Sequence, residues 1–469
     1  MPTQNRLASG KRVHIVLVPG FGGFDALGKV EYYAGITPLF GDWRGTNPVV
    51  LHYFDNLPTA AVRTRATRLR RYLATRIARG EILETDKIVL VGHSTGGLDI
   101  RQLICDLANL GDDSCYVDGG SSVLGTTIRR CLDGVVFLSV PQRGTNIADW
   151  VHSHTLLRTA VIADLRAAVA GSQVYLLDRI ETEIAGGTAF FTDADLLLAL
   201  RDALAEANEH YGEPGPLRTA DALEAASELE LYVRQMCSDF RVINDLKSQP
   251  YDSRKKSPAH FDKDDRKKEL DLWDYDPPIR ALSFVTVGGR PFRFPSRRPA
   301  PVWELTNPCT YPEIARDLHL SGNTDFLYRL CYRACAGGPL KWPQQGLKVT
   351  RVLGQAPQEP IELWDNDGIV NTVSMFWPKG ETVLVVADHL DVVGHFRLVE
   401  AARDKDAPAA PRTYQSYNSF KSVSHFERKT FHDLWTEIFD FAANPKTFAQ
   451  RRKSKPKVVK LAVPTAARA

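Results

Sequence analysis

Residues 87–100 read KIVLVGHSTGGLDI, and this stretch limits the possible folds more than any other. Lys87 to Val91 is a short, almost unbroken β-branched and apolar run, the pattern of a strand buried on both faces. It runs directly into Gly92-His93-Ser94-Thr95-Gly96, and a helical pattern follows from Leu98 to Leu110. A serine at so sharp a strand-to-helix turn takes a strained backbone conformation, and its neighbours two residues away must lack side chains. The hydroxyl then stands clear of the sheet at the positive end of the following helix. G-x-S-x-G with a strand before it and a helix after it makes Ser94 a candidate nucleophile.

The same rhythm of apolar strand and breaker recurs along the chain. VHIVLV (Val13 to Val18) is stopped by Pro19 and the glycines of PGFGGF, and NPVVLHYF (Asn47 to Phe54) reads as a second strand. GVVFLSVP (Gly134 to Pro141), ALSFVTV (Ala281 to Val287) and ETVLVVAD (Glu381 to Asp388) repeat it. Between them lie helical patterns: Thr59 to Arg79, with its arginines expected to face outward, and later Phe431 to Ala443. Strands alternating with helices imply crossovers and a mostly parallel sheet, an α/β architecture.

From about Ile147 to Asp245 the pattern is helical only, as in DADLLLALRDALAEAN (Asp193 to Asn208), and it reads as a cap inserted into the strand–helix order. Four segments are expected. Residues 1–146 form the first part of the core, 147–245 the helical cap or lid, 246–448 the rest of the core, and 449–469 a basic, disordered tail. Ser253 to Glu269 is a mixed charge run and reads as a solvated loop. Peripheral contact with a membrane through Arg451, Arg452, Lys453, Lys455, Lys457 and Lys460 is the tail's alternative to plain solvation.

Composition excludes several classes. A net charge of +3, with 25% charged and 43% hydrophobic residues, gives no electrostatic reason for nucleic acid as the main partner. No run of 18 apolar residues exists to form a membrane span, and MPTQNRLASGK is not followed by a signal-type apolar region with a cleavage site. Seven scattered cysteines read as free thiols in a reducing compartment, so a cytoplasmic protein is expected.

A nucleophilic serine needs a base, an acid that orients the base, and donors for the developing oxyanion. In this chemistry on an α/β sheet, acid and base follow the serine in that order. The acid candidate is Asp367, in LWDNDGIVNTVSM, with Asp365 as its rival; Asn366-Asp367-Gly368 is also a good turn by itself. His389, just beyond TVLVV, is the base candidate, and His395, His425 and His432 are alternatives. For the oxyanion, the N–H of Phe21 in PGFGG and the N–H of Thr95 are the expected donors. Gly20, Gly22 and His93 are expected to line the bound substrate. PGFGG as a phosphate cradle is disfavoured, since no G-K-[S/T] follows and the spacing is not G-x-G-x-x-G.

Taken together, HIVLVPGFGG, KIVLVGHSTGG, FLSVPQRGT, ALSFVT, WDNDGIVNTVSM and DHLDVVG resemble the bacterial true lipases of the α/β-hydrolase superfamily, especially the thermophilic Bacillus and staphylococcal group. The resemblance covers the core strands and catalytic loops, not the cap or residues 290–350. It implies an α/β-hydrolase fold, Ser94 as nucleophile, Asp367 as acid, His389 as base, and Phe21 and Thr95 as oxyanion donors. It also implies a carboxylic ester or lipid as substrate, without a cofactor.

Two features of that group are not matched. Its inserted zinc-binding segment carries two histidines between oxyanion loop and elbow, whereas here that interval is short and holds only His52, in a strand. Its calcium ion sits just after the catalytic histidine; Asp391 fits the first ligand, but Phe396 stands where the second aspartate is expected. His152 and His154, and Cys331 and Cys335, lack partners for a metal site. No metal is therefore expected. Two further function classes remain: an acyltransferase using the same triad, and a catalytically silent binding protein on the same fold.

Overall fold

The computed structural model describes residues 12–153 except 24–25, 28–29, 46, 111–113 and 117–121, then 241–247, 270–274 and 278–291. It further describes 328, 331–332, 335–336, 348–357, 360–396, 422, 424–444 and 459–460. Seven strands form one sheet: β1 (Val13–Val18), β2 (Val49–Tyr53), β3 (Lys87–His93), β4 (Leu132–Leu138), β5 (Arg280–Val287), β6 (Arg351–Leu353) and β7 (Glu381–Val386). Their order across the sheet is β6-β7-β5-β4-β3-β1-β2, and every pairing is parallel.

Both faces of the sheet are covered, which is why its strands read as unbroken apolar runs. Along β1 the side chains alternate. Val16 and Val18 pack on one side with Leu69 and Leu73 of helix α1 (Val62–Ala78) and Leu103 and Leu107 of helix α2 (Thr95–Leu110). Val13, Ile15 and Leu17 pack on the other side, in the same cluster as Leu434, Trp435, Ile438 and Phe439. Those four belong to the last helix, Arg428–Ala443. Each such fully buried aliphatic contributes roughly 1.5–3 kcal/mol of transfer free energy.

The chain lays β2 on one side of β1 and then returns to lay β3 on the other. Parallel register pairs Val18 with Gly92, so the loops following β1 and β3 emerge side by side at the carboxyl edge. That is where an open α/β sheet presents its crevice. With the serine turn after β3, this is an α/β-hydrolase fold.

Of the segment expected as a cap, helix α3 (Asn146–Ser153) and helix α4 (Val242–Leu246) are described, and Ala148, Val242, Ile243 and Leu246 pack in the core cluster with α1 and α2. The two ends meet, with Thr145 N–H donating to the Leu246 carbonyl at 2.7 Å. Asp193 to Asn208 and Ser253 to Glu269 lie outside the described residues, as do Arg451 to Lys457. One part of the expected disordered tail is paired instead: Val459–Lys460 forms an antiparallel bridge with Lys348–Val349. Strand β6 had no sequence signal, because its three residues, RVL, are too few to show a period and include an arginine.

Among the described residues no helix is long and apolar enough to cross a membrane.

Candidate active site

Ser94 stands between β3 and α2 with φ of 51°, the left-handed region that non-glycine residues avoid. Its N–H bonds the Leu138 carbonyl at 2.9 Å and its own carbonyl accepts from Gly97 N–H at 3.1 Å, so neighbouring β4 and the helix start hold the strained turn in place. A Cβ on Gly96 would lie 2.4 Å from the Val18 carbonyl oxygen, and one on Gly20 would lie 2.7 Å from Ser94 Cβ. These glycines let the loop after β1 close directly onto the serine.

Asp367 and His389 arrive from the far half of the sheet. His389 follows β7, and its N–H bonds the Asp367 carbonyl at 2.9 Å. The side chains repeat the pairing: His389 Nδ1 lies 2.8 Å from Asp367 Oδ2. Asp367 Oδ1 accepts from the Ile369 and Val370 N–H groups at 3.0 and 2.8 Å, and Oδ2 also accepts from the Thr286 hydroxyl at 2.7 Å. All of these groups donate, so the Asp367 carboxylate is the acceptor on every side. Facing that acceptor, Nδ1 of His389 is the donor, and in the neutral ring this tautomer leaves the lone pair on Nε2. Thr286, on β5, is supported in turn by Ser139 at 2.9 Å, a second non-glycine residue at positive φ (49°).

The rival acid, Asp365, is engaged elsewhere. Arg290 forks onto it (2.7 and 2.6 Å), and Tyr332 and the Glu362 N–H bond it as well. Among the alternative bases, His395 is buried against the Tyr32 carbonyl at 3.1 Å and held down to about 4 by that burial. His425 and His432 are exposed.

His93 was expected to line the bound substrate. It is fully buried, with Nδ1 2.7 Å from the Tyr32 hydroxyl and Nε2 2.8 Å from the His389 carbonyl. Since a carbonyl only accepts, Nε2 must donate, Nδ1 must accept from Tyr32, and Tyr32 in turn accepts the Gly20 N–H at 2.7 Å. Burial, reinforced by nearby His389, holds His93 well below its ordinary value, as this neutral chain requires. Gly22 donates to the Pro58 carbonyl at 3.0 Å. Both ring nitrogens of His93 and the N–H groups of Gly20 and Gly22 are thus bonded within the scaffold.

Phe21 sits at the loop tip with 38% exposure, and Thr95 is the first residue of α2 and fully buried. Tyr32, Thr286 and Ser139 carried no motif that sequence reading could have used.

Neither metal suggested by the resemblance fits the residues present. His52 lies in β2 with Nε2 2.8 Å from His14 Nδ1. Asp391 accepts from the Asp388 N–H and the Ser424 hydroxyl at 2.7 and 2.8 Å, while Asp388 accepts from the Ser422 hydroxyl at 2.6 Å. Burial pushes Asp388 up to about 7, and burial plus that neighbouring carboxyl pushes Asp391 up as well. Phe396 packs on Phe426 and Phe431. Calcium takes six to eight oxygen ligands, and this cluster satisfies its own oxygens with hydroxyl and amide donors. Among the described residues no group of three or more metal-ligating side chains is gathered.

No protein-family model matches the chain, and no curated protein matches its sequence. Solved bacterial lipases and esterases are similar to it at low identity. EstA from Clostridium botulinum is 16% identical with a TM-score of 0.38, over 84% of this chain and 86% of that one. Staphylococcus hyicus lipase is 12% identical with a TM-score of 0.39, over 97% and 100%. A Bacillus licheniformis lipase is 12% identical with a TM-score of 0.35, over 84% and 90%.

Proposed function

We propose that the protein is a serine hydrolase of carboxylic esters, with Ser94 as nucleophile, His389 as base and Asp367 as the acid that orients it. The observation that carries the reading is the Asp367–His389 pair at 2.8 Å, tied through the His389 carbonyl to the residue next to Ser94. Ser94 Oγ attacks the ester carbonyl as its proton passes to His389 Nε2. The Phe21 and Thr95 N–H groups receive the oxyanion. His389 then protonates the departing alcohol, takes a proton from water, and the resulting hydroxide releases the acid from the acyl-enzyme. Asp367 stabilises the imidazolium at both stages without taking its proton.

The substrate is a small ester or lipid bound at the sheet's carboxyl edge. Cys131, Cys331 and Cys335 are buried thiols, which accords with a reducing, cytoplasmic setting.

The test is a rate series on p-nitrophenyl esters from acetyl to palmitoyl, with Ser94→Ala as control. Turnover that disappears in Ser94→Ala is the expected result, and the chain-length optimum separates esterase from lipase. Turnover that survives in Ser94→Ala would overturn the assignment.

A further inference from the structure

Arg65 takes no part in these proton transfers, yet it is fully buried beneath the site. Helix α1 buries Val62, Ala66, Leu69 and Leu73, and Arg65 lies on that same face, three residues after Val62 and four before Leu69. Its charge meets Asp99 of α2, also fully buried, with Nε 3.1 and 3.0 Å from the two carboxylate oxygens and Nη2 2.9 Å from Oδ2. Its other N–H groups reach backbone carbonyls. Nη2 reaches Pro19 and Gly20 at 2.9 and 2.8 Å, and Nη1 reaches Leu57 and Pro58. Asn56 Nδ2 completes Asp99 at 3.0 Å.

A buried ion pair is a poor source of stability, since an apolar pair of similar volume often does as well or better. What this pair does is orient. The Gly20 carbonyl and the Phe21 N–H belong to one planar trans peptide and point in opposite directions. Drawing that carbonyl inward onto Nη2 aims the Phe21 N–H outward, away from Arg65. Asp99, the anchor, lies four residues after Thr95 on the helix that supplies the second donor.

We propose that Arg65, held by Asp99, is a positioning residue that aims the Phe21 N–H and couples it to the Thr95 N–H, so that the two oxyanion donors form one preorganised unit. This rests on the serine-hydrolase reading above. Lysine at position 65 keeps the charge but cannot fork, and asparagine at position 99 keeps the shape but not the charge.

The experiment compares wild type, Arg65→Lys and Asp99→Asn. A fluorophosphonate counts competent serines, p-nitrophenyl butyrate gives turnover per labelled site, and a trifluoromethyl ketone, which forms an oxyanion on Ser94, gives an inhibition constant. In the variants, kcat per labelled site should fall about 10- to 100-fold with KM within about threefold, as for a donor misplaced by an ångström or less. Ketone affinity should weaken by the same factor. A purely structural role would lower the labelled fraction and leave turnover per labelled site unchanged, and that result overturns the proposal. If Arg65→Lys does not fold, Asp99→Asn decides alone by the same criterion. A wild type that takes no label overturns the serine-hydrolase reading and the clamp with it, whereas a labelled wild type beside unimpaired variants overturns the clamp only.

Discussion

Asp367→Asn tests the catalytic reading through one proton. The amide must place its oxygen at the Oδ1 position, because the Ile369 and Val370 N–H groups both donate there and an NH2 would meet two donors. Its NH2 then occupies the Oδ2 position, facing the Thr286 hydroxyl and His389 Nδ1. Thr286 can turn its hydrogen away, but His389 must become an acceptor at Nδ1 and carry its proton on Nε2. That tautomer has no lone pair to take the Ser94 proton. The expected loss in kcat is roughly three to four decades, about 4–5.5 kcal/mol of barrier, with KM little changed and the fold intact. Stopped-flow release of p-nitrophenol, alongside circular dichroism and a thermal melt, reads all three. Turnover within tenfold of wild type in a folded variant would refute the tautomer reasoning and return Asp365 to consideration.

Asp365→Asn breaks the fork with Arg290 and should cost roughly 1–3 kcal/mol in urea denaturation while turnover per labelled site stays near wild type; a hundredfold loss would contradict this. Tyr32→Phe strips the partner from the buried Gly20 N–H and His93 Nδ1, and two such orphans together should cost about 2–4 kcal/mol; a midpoint unchanged from wild type would count against the neutral His93 chain. His395 is depressed to about 4 from 6.5 by burial, so the unfolded chain binds a proton there that the folded chain refuses. Its stabilising contribution is complete at neutral pH and is lost as pH falls from about 6.5 toward about 4, by up to about 3 kcal/mol. His395→Gln should flatten that acid limb in a plot of urea midpoint against pH, and an unaltered slope would refute the assignment. Gly96→Ala drives a methyl into the Val18 and Pro19 carbonyls and should displace the oxyanion loop, lowering turnover at least about tenfold.

What could be read from the residues alone was the part governed by local pattern. Strands β1, β3, β4, β5 and β7 announced themselves as apolar runs, because a parallel sheet covered on both faces needs no polar alternation. The serine turn did so because its glycines answer a steric demand internal to ten residues. Asp367 and His389 were legible as candidates in chain order, but the difference in surroundings between Asp365 and Asp367 was not. It depends on Arg290 and Tyr332 taking one carboxylate and Thr286 and His389 the other, and all of those partners are more than 20 residues away in sequence. His93 looked like a substrate contact because it adjoins the nucleophile, yet side chains alternate along the end of β3, and its ring turns inward to Tyr32. Arg65 looked like a surface arginine because charge belongs in water unless something buried answers it. That answer, Asp99, sits on another helix, and only the packing of α1 against α2 brings the two together.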